Sequence, residues 1–279
     1  MANLESNRLS ADWSDRYLRL LGVEREAPSP DALTRLERAH IGAVPFCNVS
    51  SILRRGGTSP NRPVSSLDPE AVLASWIKGD AGGVCFETSG MLCRLLVSLG
   101  YEAHQVMANA SFPGSHQAVL VKLGGTRYLV DAGNGAPFSP VPLDGEHVIR
   151  HVGLGYRFHA GELPQTWQQE RWIDDAWTLF CTYELTEPTP DVLEATYQRH
   201  HTPGRSWVVD ELRVVRCSET DVKAYRSGRF THYTADGKHS QQVSEPSAVA
   251  RLVAETFGLP RLPVEEALRA QAAFSVGSN

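Results

Sequence analysis

The sequence predicts an α+β fold, and three observations carry that prediction. The first hundred residues read as helices. From about Tyr101 to Tyr183 the texture changes to short apolar runs broken by Gly and Pro, which is β-rich. The last third mixes strand-like runs with a closing amphipathic helix. Helices, then a sheet, then a mixed segment give an architecture in parts, divided as 1–100, 101–190 and 191–279.

Each element has its own signal. Ser10-Ala11-Asp12 caps a helix with Tyr17, Leu18 and Leu21 on one face, stopping at Gly22. Ser29-Pro30 opens a second helix, with Leu33, Leu36 and Ile41 as apolar points and Pro45 as its end. Arg54 to Val64 reads as a loop, and Ser66 to Ile77 as a third helix. Leu92, Leu95, Leu96 and Leu99 follow helical spacing up to Gly100. Gln117–Leu123, Thr126–Asp131 and Trp177–Tyr183 read as strands. Asp191 to Pro203 is helical, and Val208–Val215 reads as a strand. Phe230–Tyr233 and His239–Val243 flank the hairpin signal Asp236-Gly237. Pro246–Phe257 is a last helix, closed by Gly258.

Composition excludes several classes. The chain has 279 residues, 42% hydrophobic and 21% charged, which is too apolar for disorder. A net charge of -5 gives no sign of nucleic acid or an anionic membrane as partner. Met1 to Asp15 lacks an apolar signal region, and no run approaches the roughly 18–20 residues a membrane helix needs, so a cytoplasmic location is expected. Cys47, Cys85, Cys93, Cys181 and Cys217 are odd in number and widely spaced, with no CxxC pair. That argues against disulfides and structural zinc, and no metal is expected.

One cysteine stands apart. Gly82-Gly83 lets the backbone turn tightly just before Cys85, and a helix follows at once. Cys85 thus sits at a helix N-terminus, where the dipole and free N–H groups favour a thiolate and could hold an oxyanion. Downstream, two apolar strands meet at Gly124-Gly125. If Leu123 pairs with Thr126, paired positions sum to 249, so His116 opposes Gly133 and Asp131 opposes Ala118. His116 and Asp131 are then diagonal neighbours on one face. Together with Cys85 they fit a relay in which Asp131 orients the imidazole, His116 takes the thiol proton and the thiolate attacks an acyl carbon. His104, His151, His159, His200 and His201 compete less well, lacking an acidic partner at a defined offset or falling in turns and loops.

These residues resemble the arylamine N-acetyltransferase family. The nucleophile motif Arg-Gly-Gly-x-Cys-x-Glu-x-Asn is matched by Ala81 to Ser89, and the histidine motif by His116 to Val121. Tyr-Leu-Val-Asp-Val-Gly-Phe-Gly is matched by Tyr128 to Gly135, and Pro-Phe-Glu-Asn-Leu by Pro45 to Val49. The likeness runs from about residue 12 to 260. Ala81, Ser89, Cys47 and Asn134 depart from the pattern.

The resemblance implies an N-terminal helical bundle carrying Cys85, a central antiparallel β-barrel carrying His116 and Asp131, and a C-terminal α/β lid, around a transglutaminase-like Cys-His-Asp core. It implies ping-pong transfer from acetyl-CoA or another acyl-CoA, as co-substrate rather than bound cofactor, through acyl-Cys85 to a small amine. It implies substrate contacts at Phe46, Val84, Gly133, Asn134 and Gly135. Related amide synthases of this fold take the acyl chain from an acyl carrier protein instead. A thiol hydrolase and a degenerate binding protein are the remaining alternatives.

Overall fold

The computed structural model describes residues 8–56, 68–134, 136 and 139–276. Its elements run α1 (Ala11–Leu21), α2 (Pro30–Ala43), β1 (Phe46–Cys47), α3 (Val49–Gly56), α4 (Pro69–Ser75), α5 (Cys85–Ser98) and β2 (Glu102–Asn109). Then come β3 (His116–Leu123), β4 (Thr126–Val130), β5 (Val141–Pro142), β6 (His147–His151), β7 (Leu154–Ala160), β8 (Thr166–Ile173) and β9 (Ala176–Glu184). The chain continues through α6 (Pro190–His200), α7 (Trp207–Asp210), β10 (Arg213–Cys217), β11 (Asp221–Arg226), β12 (Arg229–Thr234), β13 (Gly237–Gln242), α8 (Pro246–Thr256) and α9 (Val264–Val276).

The helix ends follow their caps. Ser10 and Ser29 accept the N–H groups of Trp13 and Ala32, and Pro30 opens α2. Gly22 and Gly258 close α1 and α8 in the left-handed region that glycine tolerates. The buried Tyr17, Leu18, Leu33, Leu36, Leu92, Leu95 and Leu96 join α1, α2 and α5 in one core against β3.

Strands β2 to β9 form an eight-stranded antiparallel sheet in the order β5-β4-β3-β2-β9-β8-β7-β6, nearly closed into a barrel. Val106, Ala118, Leu129, Val141, Phe158 and Tyr183 fill its interior. A second sheet, β1-β10-β11-β12-β13, carries the C-terminal segment and takes its edge strand from the N-terminal one. Phe46 pairs with Val215, so the third segment is fastened beside the nucleophile loop.

Several sequence expectations need correction. Arg54 to Gly56 are helical, the end of α3, and the rest of the expected loop lies outside the described residues. The third helix is shorter than Ser66–Ile77 and passes into a wide turn, Trp76–Asp80, that Gly79 ends at φ 103°. Val208–Val215 is not one strand. Ser206 accepts the Val208 N–H at 3.3 Å and starts the short helix α7. Asn48 then binds the carbonyls of Val208 and Glu211 at 2.9 and 2.7 Å and bends the chain into β10. The last hairpin turns on Ala235-Asp236, because Gly237 already pairs with Thr234. His159 lies within β7 rather than a turn, and it pairs with Glu170 at 3.4 Å.

Candidate active site

Cys85 is the first residue of α5. Val84 before it is extended, and the Glu87 carboxylate folds back to accept the Val84 N–H at 3.0 Å. Gly83 makes room for this, since a Cβ there would lie 2.7 Å from the Glu87 Cβ. An Arg54 guanidinium from α3 pairs with the same carboxylate, although residue 81 is Ala. The Cys47 N–H donates to the Gly83 carbonyl at 2.9 Å, which brings Phe46 beside the nucleophile loop. The Ser89 hydroxyl donates to the Gln117 carbonyl at 2.9 Å and ties α5 to β3. The departures at Cys47 and Ser89 are thus buried packing and bonding positions, and burial pushes the Cys47 thiol up to about 12. The first N–H groups of α5 have no partner within the helix and point their dipole at Cys85.

His116 opens β3, and its Nε2 lies 3.0 and 2.9 Å from the two Asp131 carboxylate oxygens. That leaves Nδ1 as the ring nitrogen free to serve Cys85, which is close enough to raise the His116 value. All three side chains are buried, with 5% of Cys85, 7% of His116 and 2% of Asp131 exposed. Burial alone would push the imidazolium down, but the Asp131 charge and hydrogen bond, helped by Cys85, lift His116 to about 10. Burial also pushes the Asp131 carboxyl up, yet His116, Tyr183 and Asn134 hold it below its ordinary value. The arrangement favours a charged pair of His116 imidazolium and Asp131 carboxylate beside the Cys85 thiol.

The route by which Asp131 reaches His116 differs from a continued ladder. The expected register holds from Leu123–Thr126 to Val119–Val130 and stops there. His116 therefore does not pair with Gly133, although on its other side it pairs with Ala108 of β2. Beyond that point Glu37 on α2 takes up the chain, its Oε1 accepting the Asp131 N–H at 2.9 Å. The chain then turns, and the Gly133 N–H donates back to Asp131 Oδ1 at 3.1 Å.

Glu37 is 1% exposed, and its other oxygen is buried without a hydrogen-bond partner. Burial, with a smaller contribution from the nearby Asp131 charge, raises its carboxyl well above the ordinary value. Between the unfolded value of about 4.3 and the raised folded value, the native chain holds a proton that the unfolded chain has lost, so stability falls as pH rises. Glu37→Gln keeps the acceptor and removes that slope. Its melting temperature should gain on the wild type as pH climbs from 4 to 8, by up to about 1.4 kcal/mol of stability per pH unit. A constant difference across that range would show that Glu37 does not carry the proton.

A cavity of about 480 Å³ opens above Cys85 and His116. Phe46, Val84, Gly133 and Asn134 all line it, while Gly135 lies outside the described residues. Among the described residues no group of three His, Cys, Asp or Glu is arranged to hold a metal ion. No described helix is long and apolar enough to cross a membrane.

Residues 30–265 match the family model described as N-acetyltransferase. The chain belongs to the arylamine N-acetyltransferase family. It is an acyltransferase. It is 30% identical to the arylamine N-acetyltransferase of Mycolicibacterium smegmatis over 246 residues, 79% of this chain and 85% of that protein. It is 26% identical to the enzyme of Mycobacterium bovis over 247 residues, 83% of each. Its fold matches the arylamine N-acetyltransferase structure from Mycobacterium abscessus with a TM-score of 0.82, at 20% identity, over 98% of this chain and 97% of that one. It also matches the Mycobacterium marinum enzyme in complex with CoA, with a TM-score of 0.78 at 21% identity, over 93% and 97%.

The family signature covers the floor of the cavity but not its walls. Arg171, Leu179 and Phe180 come from β8 and β9, and His200, Trp207, Arg213 and Arg226 from the C-terminal segment. His200 and His201 end α6 and are buried, not in an exposed loop. His200 Nδ1 lies 2.9 Å from the Ser206 hydroxyl, and burial, reinforced by neighbouring cations, pushes the ring down to about 3, so it is neutral. Sequence reasoning missed these residues. The only local signal was the His200-His201 pair close to Pro203.

Proposed function

We propose that the chain transfers an acyl group from an acyl-CoA thioester to a small amine by a ping-pong mechanism through acyl-Cys85. The observation that carries this reading is the buried line Cys85–His116–Asp131 at the floor of an open cavity. The thiolate attacks the thioester carbonyl, and the first N–H groups of α5 stabilise the oxyanion. His116 gives its proton to the departing CoA thiolate. The amine then attacks acyl-Cys85, His116 takes the amine proton, and the thiolate leaves. Asp131 keeps Nδ1 facing the reacting atoms through both halves. Phe46, Val84, Gly133 and Asn134 would contact the substrates in this scheme. The Mycobacterium marinum relative, whose structure holds CoA, supports CoA as donor. Five cysteines outside any disulfide fit a reducing, cytoplasmic setting.

A second reading is an amide synthase that accepts its acyl chain from a carrier protein. Arg226, with 66% of its side chain exposed at the cavity rim, favours it as a contact for an acidic partner surface. Intact-mass measurement after mixing with acetyl-CoA tests the first reading, with Cys85→Ala as control. The expected result is one acetyl adduct on the native chain and none on the variant. An adduct formed only from carrier-bound thioesters would favour the second reading. An adduct that survives in Cys85→Ala would remove Cys85 as nucleophile.

A further inference from the structure

The cavity above Cys85 is cationic. Arg171, Arg213 and Arg226 line it, and among the described residues no acidic side chain does. Glu211, behind the wall, is shared by two of them, at 2.9 Å from Arg213 Nε and 3.0 Å from Arg226 Nε. Among the described residues Arg171 has no carboxylate partner. Its guanidinium donates to the Asn134 side-chain carbonyl at 2.5 Å and lies 3.4 Å from the Phe180 ring centroid, while its Nε is buried without a partner.

Local structure aims Arg171 at the reaction centre. It lies two residues beyond Gln169 on β8, so both face the same side of the sheet. Gln169 Oε1 accepts from Asn134 Nδ2 at 2.9 Å, and Asn134 Nδ2 also reaches Asp131 Oδ2 at 3.3 Å. Asn134 therefore links the arginine to the catalytic carboxylate. The register of β8 with β9 slips between Gln169 and Glu170, leaving Phe180 as the extra residue of a bulge. Such bulges re-aim side chains. Here both Leu179 and Phe180 line the cavity, where a regular strand would present only one of them.

We propose that Arg171 is the anchor for a carboxylate on the amine acceptor, so that this enzyme acts on amino-carboxylates in preference to neutral or cationic amines. The inference rests on the acyl-Cys85 mechanism above. A guanidinium donates two parallel hydrogen bonds to a carboxylate, and Phe180 holds its plane. The donor phosphates cannot be the intended partner, because the pantetheine arm keeps them far from the thioester carbon at Cys85. The charge also suits the chemistry. Attack needs the free amine, and a cationic wall lowers the proton affinity of an incoming ammonium. A cationic acceptor would meet repulsion with nothing to offset it.

The test is the acceptor half-reaction of preformed acetyl-Cys85 enzyme. The probes are 3- and 4-aminobenzoate, each compared with its aminobenzamide. The expected wild-type preference in kcat/KM is at least ~10-fold for one carboxylate over its amide, the size of a charge-assisted hydrogen bond. Arg171→Gln should bring that ratio to about one, and Arg171→Lys should retain part of it. The ratio within each variant separates recognition from a general loss of activity. No preference in the wild type, or one that survives Arg171→Gln, would overturn the inference. If no thioester acylates Cys85, the proposed mechanism fails, and calorimetry on the unacylated protein decides the inference instead. Binding of aminobenzoate over aminobenzamide, lost in Arg171→Gln, would support it, and equal binding would sink it.

Discussion

Asp131→Asn should cut the rate of acylation by about 10³–10⁴ while leaving the chain folded, which is the cost seen when the orienting carboxylate of such a relay loses its charge. Asp131 accepts four donors: His116 Nε2, the Gly133 N–H, the Tyr183 hydroxyl at 2.6 Å and Asn134 Nδ2. An Asn keeps one acceptor oxygen and puts an NH₂ where an acceptor is needed. The imidazole is then pressed to turn its unprotonated nitrogen toward residue 131, which takes the wrong tautomer to Cys85. The charge that lifts His116 to about 10 also disappears.

That second loss gives a signature in pH. In the wild type His116 stays an imidazolium through neutral pH. In Asp131→Asn its ring should lose the proton at a lower pH. The sign follows from the cause: a raised histidine value means the imidazolium is kept until pH passes about 10, so removing the Asp131 charge moves the loss downward. The checks are thiol release in a single turnover, the His116 ring titration followed by NMR and a melting curve. A loss under ~10-fold, with the His116 titration unchanged, would remove Asp131 from the mechanism.

What the sequence revealed about this site divides by distance along the chain. Cys85 was legible because its signals are adjacent: two glycines before it and a leucine-spaced helix after it. His116 and Asp131 were legible because Gly124-Gly125 makes their strands neighbours, and the predicted register holds over every pair from Leu123–Thr126 to Val119–Val130. The end of that ladder was not legible. Nor was Glu37, 94 positions away, which accepts the Asp131 N–H just past it. The cavity walls were illegible for the same reason. Arg171 acquires meaning only when Asn134 meets it across 37 positions, and Phe180 only through a bulge that breaks strand alternation. Asn134 looked like a departure from a family pattern, and in three dimensions it joins the reaction centre to the wall. Local signals reached the chemistry, whereas the cavity walls depend on pairings that no local pattern announces.

Gly133→Ala should lower acylation by about 10²-fold and destabilise the fold by about 1–3 kcal/mol, a large effect for one methyl group. The glycine is needed there for close approach. A Cβ at 133 would lie 2.6 Å from the Cys85 Cβ, 2.9 Å from the Gln117 carbonyl oxygen and 2.9 Å from the Ser89 hydroxyl. Two of these neighbours cannot swing aside, since one is backbone and the other is fixed to the first residue of α5. Either Cys85 moves or the turn does, and the turn carries Asp131. Both shifts lengthen the relay, and a displacement near 1 Å is enough for the predicted loss. Ser89→Ala added to Gly133→Ala relieves one contact of the three, so it should not restore the rate. Gly42→Ala is the matching control. It makes the same chemical change inside α2, where nothing lies within 4 Å of the new methyl, and should be neutral or stabilising by up to about 1 kcal/mol. If Gly133→Ala turns over like Gly42→Ala, the tight seat beneath Cys85 has no part in placing it, and its position must be held by the helix start alone.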